Sequence, residues 1–165
     1  MAEPGKSPSE SQVIMTELVL PSHTNALGTI FGGQIMSWVD IAAAISAGKH
    51  SKRIVVTASI DALAFLAPVK VGNVVHIRAQ VNYTSRTSME VGVRVDAENP
   101  LTGEITHCST AYTTFVALND AGRPVPVPHI IPSTPDEKRR FESAKKRRDA
   151  RIRLAEELKK QDATN

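Results

Sequence analysis

The chain has 165 residues, 41% of them hydrophobic and 22% charged, which predicts one globular domain with a core of its own. The net charge of +3 lies at one end, because residues 134–165 hold 11 basic and 7 acidic side chains and the remainder is net −1. A basic nucleic-acid-binding body is therefore excluded. No apolar run reaches the roughly 18 residues of a membrane span, and a lone Cys108 excludes an internal disulfide or a Cys-rich metal centre.

The first segment, residues 1–10, is rich in Pro, Gly, Ser and Glu and has little to bury. This composition predicts a mobile leader. It has no apolar centre of the signal-peptide kind, so we expect a cytoplasmic protein.

A strand over residues 11–20, a loop and a helix over residues 33–49 come next. Apolar residues surround almost the whole of this helix, which predicts that it is enclosed by the rest of the protein. Asp40 interrupts that apolar surface. A buried carboxylate is costly unless something uses or satisfies it, and from the residues alone a structural and a functional role are both open.

Four segments rich in β-branched residues follow, at 53–67, 74–84, 88–99 and 103–119. Short turns separate the last three, as in antiparallel hairpins. One enclosed helix followed by a series of strands predicts an α+β domain over residues 11–132, in which an antiparallel sheet wraps around a central helix.

The tail, residues 133–165, begins with a proline-containing capping box at Thr134 and continues as a highly charged helix. Its acidic and basic residues are interspersed, and apart from Phe141 it has no aromatic residue that could stack on bases. The pattern favours a solvated helix over nucleic-acid binding.

Candidate chemistry is concentrated before and within the first helix. No phosphate-binding Gly-rich loop and no His pair for zinc is present, so we expect no metal. His107 and Cys108 are adjacent on a strand and point to opposite faces, which excludes a nucleophile–base pair. Gly32 and Gly33 at the helix start offer free N–H groups to an oxyanion, and Asn25 offers a loop amide, although loop asparagines are more often turn formers.

Four segments together resemble the hotdog-fold acyl-CoA thioesterases related to brain acyl-CoA hydrolase, over about residues 13–141. They are TNALGTIFGGQIMSWVDIAAA, IVVTASIDALAFLAPVKVGN, YTSRTSMEVGVRV and LNDAGRPVPVPHIIPSTPDEKRRFE. The resemblance implies a hotdog fold, hydrolysis of acyl-CoA to a free acid and CoA, and no cofactor. It also implies a homodimer as the active unit, assembled as a trimer of dimers, and a packing role for the tail helix.

The resemblance also implies residue roles. Asp40 matches the catalytic carboxylate, as general base or nucleophile, and burial would raise its pKa. Asn25 would reach the Asp40 of the partner subunit, and the Gly33 N–H would bind the thioester oxygen. A strand turn with hydroxyls and Arg86 would hold the CoA phosphates. The predicted substrate-binding residues are Gly32, Thr57, Lys70, Thr84, Ser85, Arg86, Thr87 and Ser88.

Two alternatives accompany this interpretation. A hotdog hydratase would carry a catalytic His on or near the helix, and residues 32–49 contain none. A non-catalytic acyl-CoA-binding or sensing subunit would keep the phosphate cradle. The intact Asp40 argues against the second alternative, which only turnover can decide.

Overall fold

The computed structural model describes residues 4–163. Its sheet contains five antiparallel strands in the order β1-β3-β4-β5-β2. Two long α-helices accompany the sheet, and no helix within residues 4–163 is long and apolar enough to cross a membrane. The elements are β1 (Val13–Leu18), α1 (Gly32–Ser51), β2 (Ile54–Ile60), β3 (Val74–Thr84), β4 (Ser88–Glu98), β5 (Ile105–Leu118) and α2 (Pro135–Asp162).

The sheet separates the two helices. Along β4, Val91 belongs to the core cluster that contains α1, whereas its neighbour Glu90 contacts α2. Because successive strand residues point to opposite faces, α1 and α2 cover opposite sides of the sheet. The predicted α+β arrangement, a hotdog fold with a C-terminal helix, is confirmed.

Helix α1 is not enclosed on all sides, contrary to the sequence prediction. Its alanine-rich face packs against the sheet, where Ala42, Ala43 and Ala47 are fully buried. The opposite stripe, with Met36, Ile41 and others, is 40–46% exposed at its large apolar side chains. One chain therefore leaves an apolar helix face uncovered.

Strand β2 is an edge strand and is shorter than predicted. The prediction extended it over residues 53–67, but its pairing with β5 slips between Thr57 and Ser59 and ends at Ile60. Beyond it, the segment of residues 61–67 keeps only isolated bonds to β5, from the Leu66 N–H to the Cys108 carbonyl among them.

Helix α2 is docked rather than solvated through its first half. Ala144 is fully buried, and Phe141 packs on Tyr83 with 5.1 Å between ring centroids. Strict alternation along β3 would place Tyr83 on the same face as Val81, toward the core. A register shift between Val81 and Tyr83 breaks the alternation and places Tyr83 against α2 instead.

The N-terminal segment pairs with the proline-rich connection before α2. Lys6 donates its N–H to the His129 carbonyl at 2.8 Å and accepts from the Ile131 N–H at 2.9 Å. Ser11 is buried, and its hydroxyl accepts the Val81 N–H. Residues 1–3 of the predicted leader, and the last two residues of the predicted tail, lie outside the described residues.

Candidate active site

Asp40 lies on the uncovered stripe of α1, beside the edge strand β2. Its side chain is partly exposed, so the prediction of a buried carboxylate is wrong for the single chain. Asp40 is partly exposed because no other part of the chain covers this face of α1 within residues 4–163. Its Oδ1 accepts one hydrogen bond, from the Thr57 hydroxyl at 2.7 Å. The carboxylate is thus oriented by a neutral donor, and it forms no ion pair with a cation of residues 4–163.

The start of α1 presents backbone donors to its surroundings. The Phe31 carbonyl accepts from the N–H groups of Gln34 and Ile35, and Phe31 supplies no side-chain cap. In the described part of the chain, the N–H groups of Gly32 and Gly33 have no acceptor. A side chain added at Gly33 would meet nothing within 4 Å, so an approaching oxygen has room at this helix start.

The aromatic ring of Phe65 borders the same helix start. A Cβ placed on Gly32 would lie 3.1 Å from two ring atoms of Phe65. Glycine at this position therefore allows the ring to pack against the helix backbone, while half of Phe65 stays exposed. The ring forms an apolar wall beside the free N–H groups.

Asn25 lies in a tight loop that precedes α1. Its Oδ1 accepts from the N–H groups of Leu27 and Thr29 and from the Thr29 hydroxyl. Thr29 forms a bridge to Lys70, which lies beside this loop and not at the β3–β4 turn. The structure therefore groups Lys70 with Asn25.

The predicted phosphate cradle forms a tight turn between β3 and β4, closed by a bond from the Ser85 N–H to the Ser88 carbonyl at 2.8 Å. Arg86 is exposed. Thr84 differs from the other members, because it is 7% exposed and its hydroxyl accepts the Ile130 N–H. Thr84 thus holds the proline-rich connection in place.

Charged residues also lie on the α2 side of the sheet, and they were not among the residues predicted from the sequence. Glu90 is 3% exposed and forms a two-bond ion pair with Arg147, which lies over the Tyr112 ring. The signal was present as alternating polar residues along β4, but their partners lie far away in sequence. The Glu90 carboxylate is therefore neutralised by a guanidinium group, whereas Asp40 is not.

Asp96 is a second buried carboxylate on that side, in contact with Arg78, Arg94 and His107. Burial raises the pKa of Asp96, but the hydrogen bonds and charges of Arg94 and His107 outweigh it and leave the pKa lowered. His107 and Cys108 point to opposite sides, as predicted. Cys108 is buried in the core, and burial raises the pKa of its thiol.

Within residues 4–163, no three His, Cys, Asp or Glu side chains are arranged to hold a metal ion. The expectation of a reaction without metal or organic cofactor stays a prediction.

Comparison with known proteins identifies the family of this site. Residues 27–104 match the family model of the thioesterase superfamily. A Bacillus subtilis protein described as an uncharacterized acyl-CoA thioester hydrolase, YkhA, is 44% identical over 128 residues, covering 78% of this chain and 74% of the relative. The chain belongs to the hotdog-fold acyl-CoA thioesterases. The candidate site residues from Gly32 to Ser88 lie within the matched region, and Asn25 lies two residues before it.

Solved structures agree with this assignment. A hexameric acyl-CoA thioesterase crystallised in its apo form superposes on this thioesterase with a TM-score of 0.89 at 44% identity, over 92% of this chain and 97% of that one. An acyl-CoA hydrolase of Staphylococcus aureus, solved with butyryl coenzyme A, coenzyme A and coenzyme A disulfide, gives 0.88 at 38% identity, with 96% of each chain covered. That protein has also been solved with an aspartate, a threonine or an asparagine replaced by alanine.

Proposed function

We propose that this thioesterase hydrolyses acyl-CoA to a free carboxylic acid and CoA, with Asp40 as its catalytic carboxylate. One observation carries the proposal. Asp40 is held by a neutral hydroxyl on an open, apolar helix face, where it is neither buried as a structural group nor neutralised by a cation. A carboxylate in this state keeps its lone pairs available for a substrate or a water molecule.

Two routes fit this carboxylate. As a general base, Asp40 takes a proton from water while the water oxygen attacks the thioester carbon. As a nucleophile, Asp40 attacks that carbon itself and forms a mixed anhydride that water then hydrolyses. In both routes the carbonyl oxygen becomes negative, the carbon–sulfur bond breaks, and CoA leaves as a thiolate that needs no strong acid.

The Gly33 N–H, assisted by its neighbour Gly32, is the proposed donor to the negative oxygen. The dipole of α1 adds to this stabilisation, because the helix N-terminus carries a partial positive charge. Gly33 and Asp40 are separated by seven residues, or about 10 Å along the helix axis. A single thioester group cannot contact both within one subunit.

A homodimer resolves this separation, because the Asp40 of one subunit can face the helix start of the other. The stripe of α1 and the edge strand β2 support this arrangement, since both are apolar and uncovered: Ile54 is 65% exposed and Val56 43%. In the proposed dimer, Asn25 reaches the partner's Asp40. The hexameric relative supports further assembly as a trimer of dimers.

The CoA moiety is assigned to the turn between β3 and β4. Arg86 supplies a charge for the phosphates, and Ser85, Thr87 and Ser88 add hydroxyls. Lys70 is assigned to the same CoA from its position beside the Asn25 loop. Thr57 borders the acyl and pantetheine path while it orients Asp40.

The Staphylococcus aureus variants support the choice of residues. In that protein the replaced asparagine precedes the replaced aspartate by 15 positions, and the replaced threonine follows it by 17. Asn25, Asp40 and Thr57 have the same spacing in this chain.

The deciding experiment measures release of free thiol from acyl-CoAs of graded chain length by wild type and Asp40→Asn. We expect turnover by wild type and a loss of about 10³-fold in kcat in the variant, the size of a general-base contribution. CoA binding, followed by calorimetry, should persist in the variant. If wild type binds acyl-CoA and releases no thiol, the chain is an acyl-CoA-binding or sensing subunit instead.

A further inference from the structure

The side-chain amide of Asn25 is held in one orientation. Its Oδ1 receives three hydrogen bonds, from the Leu27 N–H at 3.0 Å, the Thr29 N–H at 3.3 Å and the Thr29 hydroxyl at 3.1 Å. A backbone N–H can only donate, so the amide atom that faces two of them has to be the oxygen. The rotated amide, with nitrogen in this place, would set donors against donors.

The orientation decides what Asn25 can offer to a substrate. With its oxygen occupied three times, the remaining capacity is the pair of N–H groups on Nδ2. Within residues 4–163, no acceptor binds this nitrogen. Asn25 is therefore prepared to donate to an oxygen and not to accept a proton from one.

The loop that carries this amide is fixed on both sides. The Asn25 N–H donates to the Thr29 carbonyl at 2.9 Å, and Gly28 takes a left-handed φ of 75° that closes the turn. On the other side, the Val71 N–H donates to the Gly28 carbonyl and the Ile30 N–H to the Val69 carbonyl. The backbone donors to Oδ1 thus have little freedom to move.

We propose that Thr29 is a positioning residue that presents Asn25 to the reaction as a hydrogen-bond donor. Its hydroxyl is the one side-chain donor among the three bonds to Oδ1, and it restrains rotation of the amide about its last torsion. The N–H groups of Nδ2 then bind the oxygen that becomes negative, or hold the attacking water by its lone pair. This inference rests on the proposed function, since it gives Asn25 a defined role in that site.

The main test compares Thr29→Val, which keeps the shape and removes the hydroxyl, with Thr29→Ser, which keeps the hydroxyl. Loss of one orienting bond should lower kcat about 10-fold in Thr29→Val, with KM and thermal midpoint close to wild type, and Thr29→Ser should restore kcat. Thr24→Val is the matched control in the same loop, because the Thr24 hydroxyl bonds to the Pro21 carbonyl and not to Asn25. It should leave kcat unchanged.

A double-mutant cycle tests whether Thr29 acts through Asn25. Thr29→Val should cost nothing further in an Asn25→Ala background. Asn25→Asp keeps an oxygen for the three donors and exchanges the Nδ2 donors for an acceptor, so it should lose about 10²-fold in kcat, as removal of an oxyanion donor does.

Three results would overturn the inference: full activity of Thr29→Val, additive losses in the double-mutant cycle, or activity retained by Asn25→Asp. Each is distinct from failure of the proposed function, which would appear as activity retained by Asp40→Asn in the same assay. A fourth contrary result is a lower kcat in Thr29→Val together with a clearly lowered thermal midpoint, because lost folding would then explain the lower kcat.

Discussion

The two sides of this molecule treat carboxylates in opposite ways. On the α2 side, Glu90 and Asp96 are almost fully buried and each is paired with arginine. On the open stripe of α1, Asp40 is partly exposed and has a single neutral partner, Thr57. Charge pairing neutralises a carboxylate and holds elements together, whereas a neutral orienting donor leaves the charge and the remaining lone pairs of the carboxylate available.

The largest expected effect is a loss of stability when the Glu90–Arg147 ion pair on the α2 side is broken. Glu90→Gln leaves the Arg147 guanidinium without its partner, and we expect a loss of about 3 kcal/mol in the free energy of unfolding. Arg147 keeps some solvent contact, which places this value at the low end for a buried pair. The kcat per folded molecule should stay within about 2-fold of wild type, because α2 lies across the sheet from Asp40.

Urea unfolding and thiol release, measured on the same preparations, check this expectation. Asp40→Asn should show the opposite result, with stability retained and kcat lost. Glu142→Gln is the control, since Glu142 is an exposed carboxylate on α2. Equal stability of Glu90→Gln and wild type would break the comparison, because the ion pair would then hold nothing together.

Elements with a local sequence pattern were predictable, whereas contacts between residues far apart in the sequence were not. Strand β3 was predicted with its observed bounds, Val74–Thr84, because local alternation of apolar residues determines it. The contact between Thr57 and Asp40 joins residues 17 positions apart on different elements, and the Glu90–Arg147 pair joins residues 57 apart. No local pattern specifies such contacts.

The openness of α1 was missed for a different reason. An apolar residue at a protein interface and one in a core have the same sequence signal, since both are removed from water in the assembled state. Ile41 and Ile45 therefore predicted an enclosed helix, whereas one chain leaves them exposed. The family resemblance supplied the expectation of a dimer that the hydrophobic pattern alone did not.

The next largest effect is a fall in kcat when the Thr57 hydroxyl, the neutral donor to Asp40, is removed. Thr57→Val removes the hydroxyl that bonds to Asp40 and keeps the β-branched shape that suits β2. We expect kcat to fall about 10-fold, since one orienting hydrogen bond is lost. Thr57→Ser should recover most of it.

Steady-state kinetics of the two variants decide this prediction. Thr16→Val, on the exposed side of the opposite edge strand β1, controls for the loss of a strand hydroxyl. If Thr57→Ser is as impaired as Thr57→Val, the methyl group matters and the hydrogen bond does not.

A smaller effect is expected from pH on the paired side. The pKa of Asp96 is lowered in the folded state, so its contribution to stability is present at pH 7 and is lost as the pH falls through that lowered pKa. Asp96→Asn should therefore be less stable than wild type at pH 7, and the difference should shrink toward pH 3.

Urea unfolding at a series of pH values measures this convergence. Asp120→Asn, in an exposed loop, controls for the loss of one negative charge. Parallel curves for Asp96→Asn and wild type down to pH 3 would mean that Asp96 has no altered titration in the folded protein.

The smallest expected signal is the reaction of the Cys108 thiol in the native protein, which tests whether the sheet next to β2 opens to solvent. Cys108 lies in the core next to the segment that follows β2, and burial raises the pKa of its thiol, so little reactive thiolate is present at pH 7. We expect the native protein to react with a chromogenic disulfide reagent far more slowly than the unfolded protein, which should show one thiol per chain. Fast reaction of the native protein would mean that this edge of the sheet opens far enough for the reagent to reach Cys108. The same measurement fixes the background of the thiol-release assay, because Cys108 is the sole protein thiol that could be mistaken for CoA.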